Sequence, residues 1–330
     1  MHHHESKSEK ERGITAALSV AVTVFVLTAA ILPVAEASSW WRWAAERFGI
    51  GAEPAPSRAM SVRETPRRET AGGLSSGAKR EVTSSQSASR TEATIPLRWG
   101  DLGARLVSEG VIDEEKLRAL YEGRGGLTED EERLLTAGNE GNLVVTSENA
   151  PFVLNLLWAF GLANENTILT AGAMSDPQYG GPGVFASTGG WTLARGEAME
   201  HYAKHAFVRL TEKEQALVRS VAENIYRPCC DNPTHFPDCN HGMAMLGLLE
   251  LMASQGRSEE EIYRAALAVN ELWFPETYAA IREYLVQKGR SFESESPKTL
   301  LGREFSSASG YRKILEAVSP RSGGGGSCGV

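Results

Sequence analysis

Cysteine is scarce in this chain: 330 residues carry only 4, which excludes a small secreted scaffold stapled by many disulfides. Positive charge is in deficit too. The formal net charge is −8 at pH 7, and no basic stripe with interleaved aromatics occurs. No nucleic-acid partner is expected, because phosphate recognition needs clustered Lys and Arg. Internal repeats are missing, and no convincing run of alternating strand-forming residues stands out. The Gly/Pro-rich stretch 172–190 lacks the Lys and Ser/Thr that would complete a phosphate-binding loop.

What is present begins with an uncharged run from Ile14 to Val34, just long enough to cross a hydrocarbon core of about 30 Å as a helix. Lys7, Lys10 and Arg12 precede it, and Trp40, Trp41 and Trp43 follow where an interfacial aromatic belt would lie. The pattern predicts a transmembrane anchor over 14–36, after an N-terminal tail of residues 1–13. A cleaved export signal is the alternative, since Ala35-Glu36-Ala37 has the small-x-small form. Either reading places the bulk of the chain outside the cytoplasm, in a periplasmic or extracellular compartment, with the membrane as one partner. Residues 37–94 hold too few large apolar side chains to bury a core, and read as a disordered linker.

From residue 95 the pattern is helical, so the expected fold class is all-α: a small helical region over 95–145, then a helical bundle domain over 146–320. Asp113 is placed to cap EEKLRALYEG, and Thr128 with Glu131, Thr211 with Glu214, and Ser258 with Glu261 form capping boxes. The stretch NAPFVLNLLWAFGL is apolar on every face, as a buried helix is. Pro275 suits a first helical position and Gly289 a stop. Residues 172–190 form a long loop of the kind that is either functional or wrapped around a core.

Chemistry concentrates in CCDNPTHFPDCNH, residues 229–241. Pro228 ends the preceding helix near Arg227, and Asp238 or Asn240 is expected to cap the next, HGMAMLGLLELMASQG. Cys239 therefore sits at a helix N-terminus, where the dipole favours a thiolate, and its pKa is expected to be the lowest of the cysteines. Cys229, Cys230, Cys239 and His241 make a four-ligand set for Zn or Cu, with His235 in the same loop. His201 and His205 are four apart, so a helix over GEAMEHYAKHAFVRL would place them on one face with Glu197 one turn earlier, as metal ligands or as a polar edge. Met243, Met245 and Met252 offer thioethers, though methionine in an apolar helix usually fills a core.

The segment from Arg227 to Ala244, its apolar helix and the following Gly256-Arg-Ser-Glu-Glu-Glu-Ile262 resemble the CcmH/CycL/NrfF proteins of cytochrome c maturation over about residues 211–265. The resemblance implies a small helical hairpin bundle, membrane-tethered and extracytoplasmic, that exchanges thiols with an apocytochrome. Cys230 matches the family's second cysteine, Asn232 its Asn, Asp238 its Asp and Asn240 its second Asn. Here Cys229 directly adjoins Cys230, so the family's Cys-x-x-Cys spacing is lost, and Cys239 stands where the family has Ser.

Three functions follow. The chain is a membrane-tethered soft-metal site on these cysteines and histidines. Alternatively it is a thiol-disulfide oxidoreductase with Cys230 and Cys239 catalytic, or a structural accessory subunit of a membrane complex, its cysteines locked as a disulfide and its Gly-rich loop docking on a partner. A membrane or extracytoplasmic protein is the partner that all three imply. Residues 321–330 form a Gly-rich tail carrying Cys328, which suits a resolving thiol, a fourth ligand, a lipid or conjugation site, or an incidental cysteine near a frayed end; it is not a prenylation signal. On cell fractionation the full-length chain is expected in the membrane pellet, resistant to alkaline carbonate and released by detergent. Recovery in the soluble cytoplasmic fraction overturns the anchor.

Overall fold

The computed structural model describes residues 89–136 and 138–318. The expected anchor over 14–36, most of the linker and the tail with Cys328 lie outside them. Among the described residues no helix is long and apolar enough to cross a membrane.

The described chain is mostly helical, with one two-stranded sheet. The helical character expected from the sequence holds for the described residues, and this one sheet is what the expectation did not include. Strand β1, Glu92–Gly100, alternates exposed residues with buried Ala93, Ile95, Leu97 and Trp99, and pairs antiparallel with β2, Asn139–Thr146. The alternation has period two, as a half-buried strand requires. Pro96 obscures it in the sequence, since proline removes a ladder donor; the register shifts between Ile95 and Arg98, so that residue sits at an irregularity. Strand β1 takes in residues 92–94, and β2 runs on to Thr146. Between the strands run α1 (Leu102–Ser108), α2 (Glu114–Tyr121) and α3 (Glu129–Thr136). Asp113 caps α2 by accepting from the backbone N–H groups of Glu115 and Lys116, and Thr128 and Glu131 bond reciprocally at the start of α3.

Helix α4, Ala150–Ala163, is buried nearly all round. It packs along α6, Asn240–Ser254, which is also touched by α5 (Glu212–Ala222), α7 (Glu259–Trp273) and β1. Two glycines set the approach of α4 to α6. A Cβ on Gly161 would collide with the Met243 carbonyl, and one on Gly247 with the Leu157 carbonyl. Met243, Met245 and Met252 are buried in this packing. Reciprocal capping boxes start α5 at Thr211 and α7 at Ser258. Helix α8, Pro275–Gln287, begins on its proline, and the chain turns at Gly289 with φ of +69°. Helix α9, Ala308–Val318, packs on α8.

Two helices are shorter than their sequence suggests. Helix α5 ends at Ala222, five residues before Arg227, because its continuation turns inward to serve the cysteine loop: Thr234 N–H donates to the Ile225 carbonyl and His235 N–H to that of Ala222. Residues 196–210 are not one helix either. Only Ala198–His201 is helical, Ala203 adopts φ of +51°, and the N–H groups of Ala203 and His205 bond to the Leu162 and Ala163 carbonyls at the end of α4.

Glu250, midway along α6, is fully buried and accepts a 2.6 Å hydrogen bond from the Asn164 amide. Burial pushes its carboxyl up to about 8, against the amides of Asn164 and Asn166, which favour the ionised form. A proton bound more tightly in the folded state stabilises most below the ordinary carboxylate range. That stability is lost at roughly 1.4 kcal/mol per pH unit as pH rises from the unfolded pKa towards the folded one. Glu250→Gln is therefore expected to flatten the fall in Tm between pH 5 and pH 8 and to exceed the parent's Tm at pH 8. Parallel profiles for the two proteins would show that Glu250 does not titrate there.

Candidate thiol and metal site

The cysteine loop leaves α5 through Ile225–Arg227 and enters α6 at Cys239. The sequence points to Asp238 or Asn240 as the cap, but the N-cap position belongs to Cys239, whose carbonyl accepts from Met243 N–H. Asp238 is turned instead towards Arg227.

Arg227 organises the loop from inside. It is 1% exposed, and its guanidinium donates to Asn232 O at 2.8 Å, Phe236 O at 3.1 Å, Asp238 Oδ1 at 2.8 Å and Cys239 Sγ at 3.2 Å. Asn232 Nδ2 donates to the other carboxylate oxygen of Asp238 at 2.8 Å. Space for the guanidinium exists because position 242 is glycine; a Cβ there would stand 2.6 Å from Arg227 Cζ. Ser187 N–H, in the Gly-rich stretch, donates to Asp238 O, so residues 172–190 buttress the loop.

This frame brings three thiols together. Cys239 Sγ lies 3.4 Å from Cys229 Sγ and 3.9 Å from Cys230 Sγ, and the three sulfurs fall within 4.8 Å of one another. All three are free thiols, with Cys229 exposed and the other two half-buried. The electrostatics are asymmetric. Hydrogen bonds from the Cys229 and Cys230 thiols, with the neighbouring Arg227 guanidinium, hold Cys239 far below the usual thiol range despite burial. Hydrogen bonds with Cys230 and Cys239 push Cys229 up. For Cys230 the bond with Cys229 acts downwards, but its bond with Cys239 and burial outweigh that and take it up to about 11. The group thus sets one thiol of lowered pKa between two of raised pKa, beside a buried guanidinium.

The histidines lie elsewhere. His241 is two residues beyond Cys239 in sequence, yet its ring packs against Phe274 at 4.5 Å and Trp273 at 5.7 Å, and it is not in the three-sulfur group. Burial lowers its pKa, and that of His235, whose Nε2 is buried without a hydrogen-bond partner. His201 and His205 do meet, though not across a helical face. Their ring planes are nearly parallel, 19° apart, with His201 Nδ1 and His205 Nε2 3.0 Å apart. His201 Nε2 faces the Arg195 carbonyl at 3.1 Å, which fixes it as the protonated nitrogen, so His205 Nε2–H donates to His201 Nδ1. Both facing nitrogens are consumed by this bond, and one ring must turn before the pair can chelate. Glu197 caps the short helix rather than joining them.

No protein-family model matches the chain, and no curated protein or solved structure matches it. The site is therefore read from its own geometry. Sequence reasoning did not single out Arg227 or Gly242. The available signal was an arginine two residues before the cysteine pair, with a glycine three residues beyond the third cysteine.

A hydrogen bond to a charged group contributes about 1.5–3 kcal/mol. Arg227→Lys keeps the charge but loses the fork, so the Cys239 thiolate is expected to titrate about one to two pH units higher. Thiolate absorbance and pH-dependent alkylation of Cys239 measure this. An unchanged midpoint would remove Arg227 from the site's electrostatics.

Proposed function

We propose that this chain holds one soft d10 metal ion, Zn2+ or Cu+, on Cys229, Cys230 and Cys239, at the extracytoplasmic face of a membrane to which residues 14–36 tether it. One observation carries the reading: the sulfur–sulfur spacing. Tetrahedral thiolates at a Zn–S distance of about 2.3 Å stand about 3.8 Å apart, and trigonal Cu+ thiolates a little further. Separations of 3.4 and 3.9 Å need only small rotations to meet that requirement. Arg227 supports it, because a metal bound to three thiolates carries net negative charge, which a buried guanidinium at 3.2 Å offsets. The loop is also pre-organised by four donations from Arg227, so little ordering is left to be done on binding.

A second reading, thiol-disulfide exchange, draws on the same asymmetry. Cys239 is the ready nucleophile and Cys229, exposed and 3.4 Å away, the resolving thiol. The likeness of residues 211–265 to cytochrome c maturation proteins favours it, with an extracytoplasmic protein as partner. Vicinal Cys229 and Cys230 do not copy that family's redox pair, since a ring closed between neighbours is strained. The accessory-subunit reading differs in needing no chemistry at the thiols.

Purified under reductant, the parent protein is expected to bind one Zn2+ or Cu+ per chain, and Cys230→Ser and Cys239→Ser each to abolish stoichiometric binding while the helical circular dichroism persists. Because Cys229 and Cys230 are held protonated near neutrality, binding expels two protons, and log affinity is expected to rise by about 2 per pH unit between pH 6 and 8. A metal-free parent that forms mixed disulfides through Cys239 would favour exchange. A metal-free parent with an inert disulfide would leave only the structural role.

A further inference from the structure

The outer edge of β1 is closed at one end and open at the other. Ser147 N–H donates to the Thr91 carbonyl at 2.8 Å, and the register pairs Ala93 with Val145 and Ile95 with Leu143. The backbone groups of residues 91, 93 and 95 therefore point at β2, and in an antiparallel pair those of Glu92 and Thr94 point the other way. Neither residue's outward N–H or C=O has a hydrogen-bond partner among the described residues. Further along, Pro96 has no N–H to offer. The Gln255 side chain takes both groups of Arg98, accepting from its N–H at 2.9 Å and donating to its carbonyl at 2.8 Å. Exposed edges are commonly blunted in this way; here the blunting stops where a groove begins.

The groove, of about 920 Å³, is lined by residues 89–96, by α7 and by parts of 282–300. Ala265 and Ala268 line it from α7, so that wall carries little bulk. Five glutamates and three arginines also line it. The arginines are already engaged: Arg90 and Arg282 hold the buried Glu271 carboxylate between them, Arg282 also pairs with Glu293, and Arg264 pairs with Glu260. Glu92 is exposed and has no ion-pair partner among the described residues. The uncommitted charge is therefore negative, and it sits on the open edge itself.

We propose that this edge takes up an extended, basic peptide segment of a protein partner as a third strand beside β1, hydrogen-bonded to the backbone of Glu92 and Thr94. Each of those residues supplies one donor and one acceptor, which is how an added strand gains affinity, and the alternation of its side chains then gives specificity. Side chains on the exposed face lie beside Glu92 and Thr94, where a Lys or Arg opposite Glu92 forms a cross-strand ion pair. Those between them fall on the face of buried Ala93 and Ile95, which favours apolar residues. Pro96 and Gln255 restrict the ladder to two residues of β1. That suits a short linear segment and falls short of the long edge that joining two sheets needs. The thiol site takes no part in this surface, so the inference does not rest on the metal reading.

The test uses the full chain and, as probe, an end-blocked hexapeptide of alternating lysine and valine, followed by fluorescence anisotropy and by NMR-detected amide exchange. Saturable one-to-one binding is expected, with exchange at the Glu92 and Thr94 amides slowed at least tenfold. Glu92→Lys changes an exposed side chain and is expected to weaken binding at least tenfold. The same peptide N-methylated throughout keeps its charge but loses its donors, and is expected not to bind. No saturation up to about 1 mM peptide overturns the proposal. Equal binding of a glutamate–valine peptide overturns the choice of a basic segment, and equal binding of the N-methylated peptide shows an ionic contact without a strand and overturns the strand addition. Protection of Glu92 and Thr94 that appears without peptide as protein concentration rises also overturns it, since the occupant is then a second copy of the chain.

Discussion

A single guanidinium, buried where two helices meet, sets the conditions for everything around it. Arg227 cannot remain charged inside the protein unless each face of its fork is matched. The chain meets that requirement by wrapping residues 229–239 around it, so that two backbone carbonyls, a carboxylate and a sulfur all point inward. The loop's shape is in this sense the solvation shell of one side chain. Gly242 is the complementary concession, since the first turn of α6 has to carry no Cβ where the guanidinium lies. Clustering of the cysteines and ionisation of Cys239 both follow from the same packing.

The helices supply the rigid walls. Helices α4 and α6 approach at Gly161 and Gly247 until backbone meets backbone, and α6 then presents its N-terminus at a fixed place against α5 and α7. Loops this rich in proline are often held only at their ends. This one is held also in the middle, by hydrogen bonds to the end of α5, by Ser187 and by the start of α9. Stiffness matters to any chemistry at three thiols, because both metal chelation and disulfide exchange fail when a sulfur drifts by an ångström or so.

Legibility in the sequence varied with how local the deciding interaction was. The caps at Asp113, Thr128, Thr211 and Ser258 were readable because each is a contact between residues two or three apart, and so was the fully buried helix at 150–163. The β1–β2 pair was not, since its partners are about 50 residues apart and Pro96 interrupts the alternation. The same holds for the early end of α5 and for the break after His201. In both, carbonyl and N–H groups that a helix would have used are claimed by distant backbone, at 234–235 in one case and 162–163 in the other.

For the site, composition and spacing alone located the chemistry: three thiols within eleven positions at a helix N-terminus, with Cys239 placed where a thiolate is favoured. What only the tertiary structure decided is which neighbours take part. His241 follows Cys239 closely, yet α6 turns its ring towards Trp273 and Phe274, while Arg227, twelve residues away in sequence, lies 3.2 Å from the Cys239 sulfur. Sequence distance fixes which atoms can meet through a turn or a cap. Membership of a buried cluster depends on which faces of packed helices point at the same volume, and that is settled by the core as a whole.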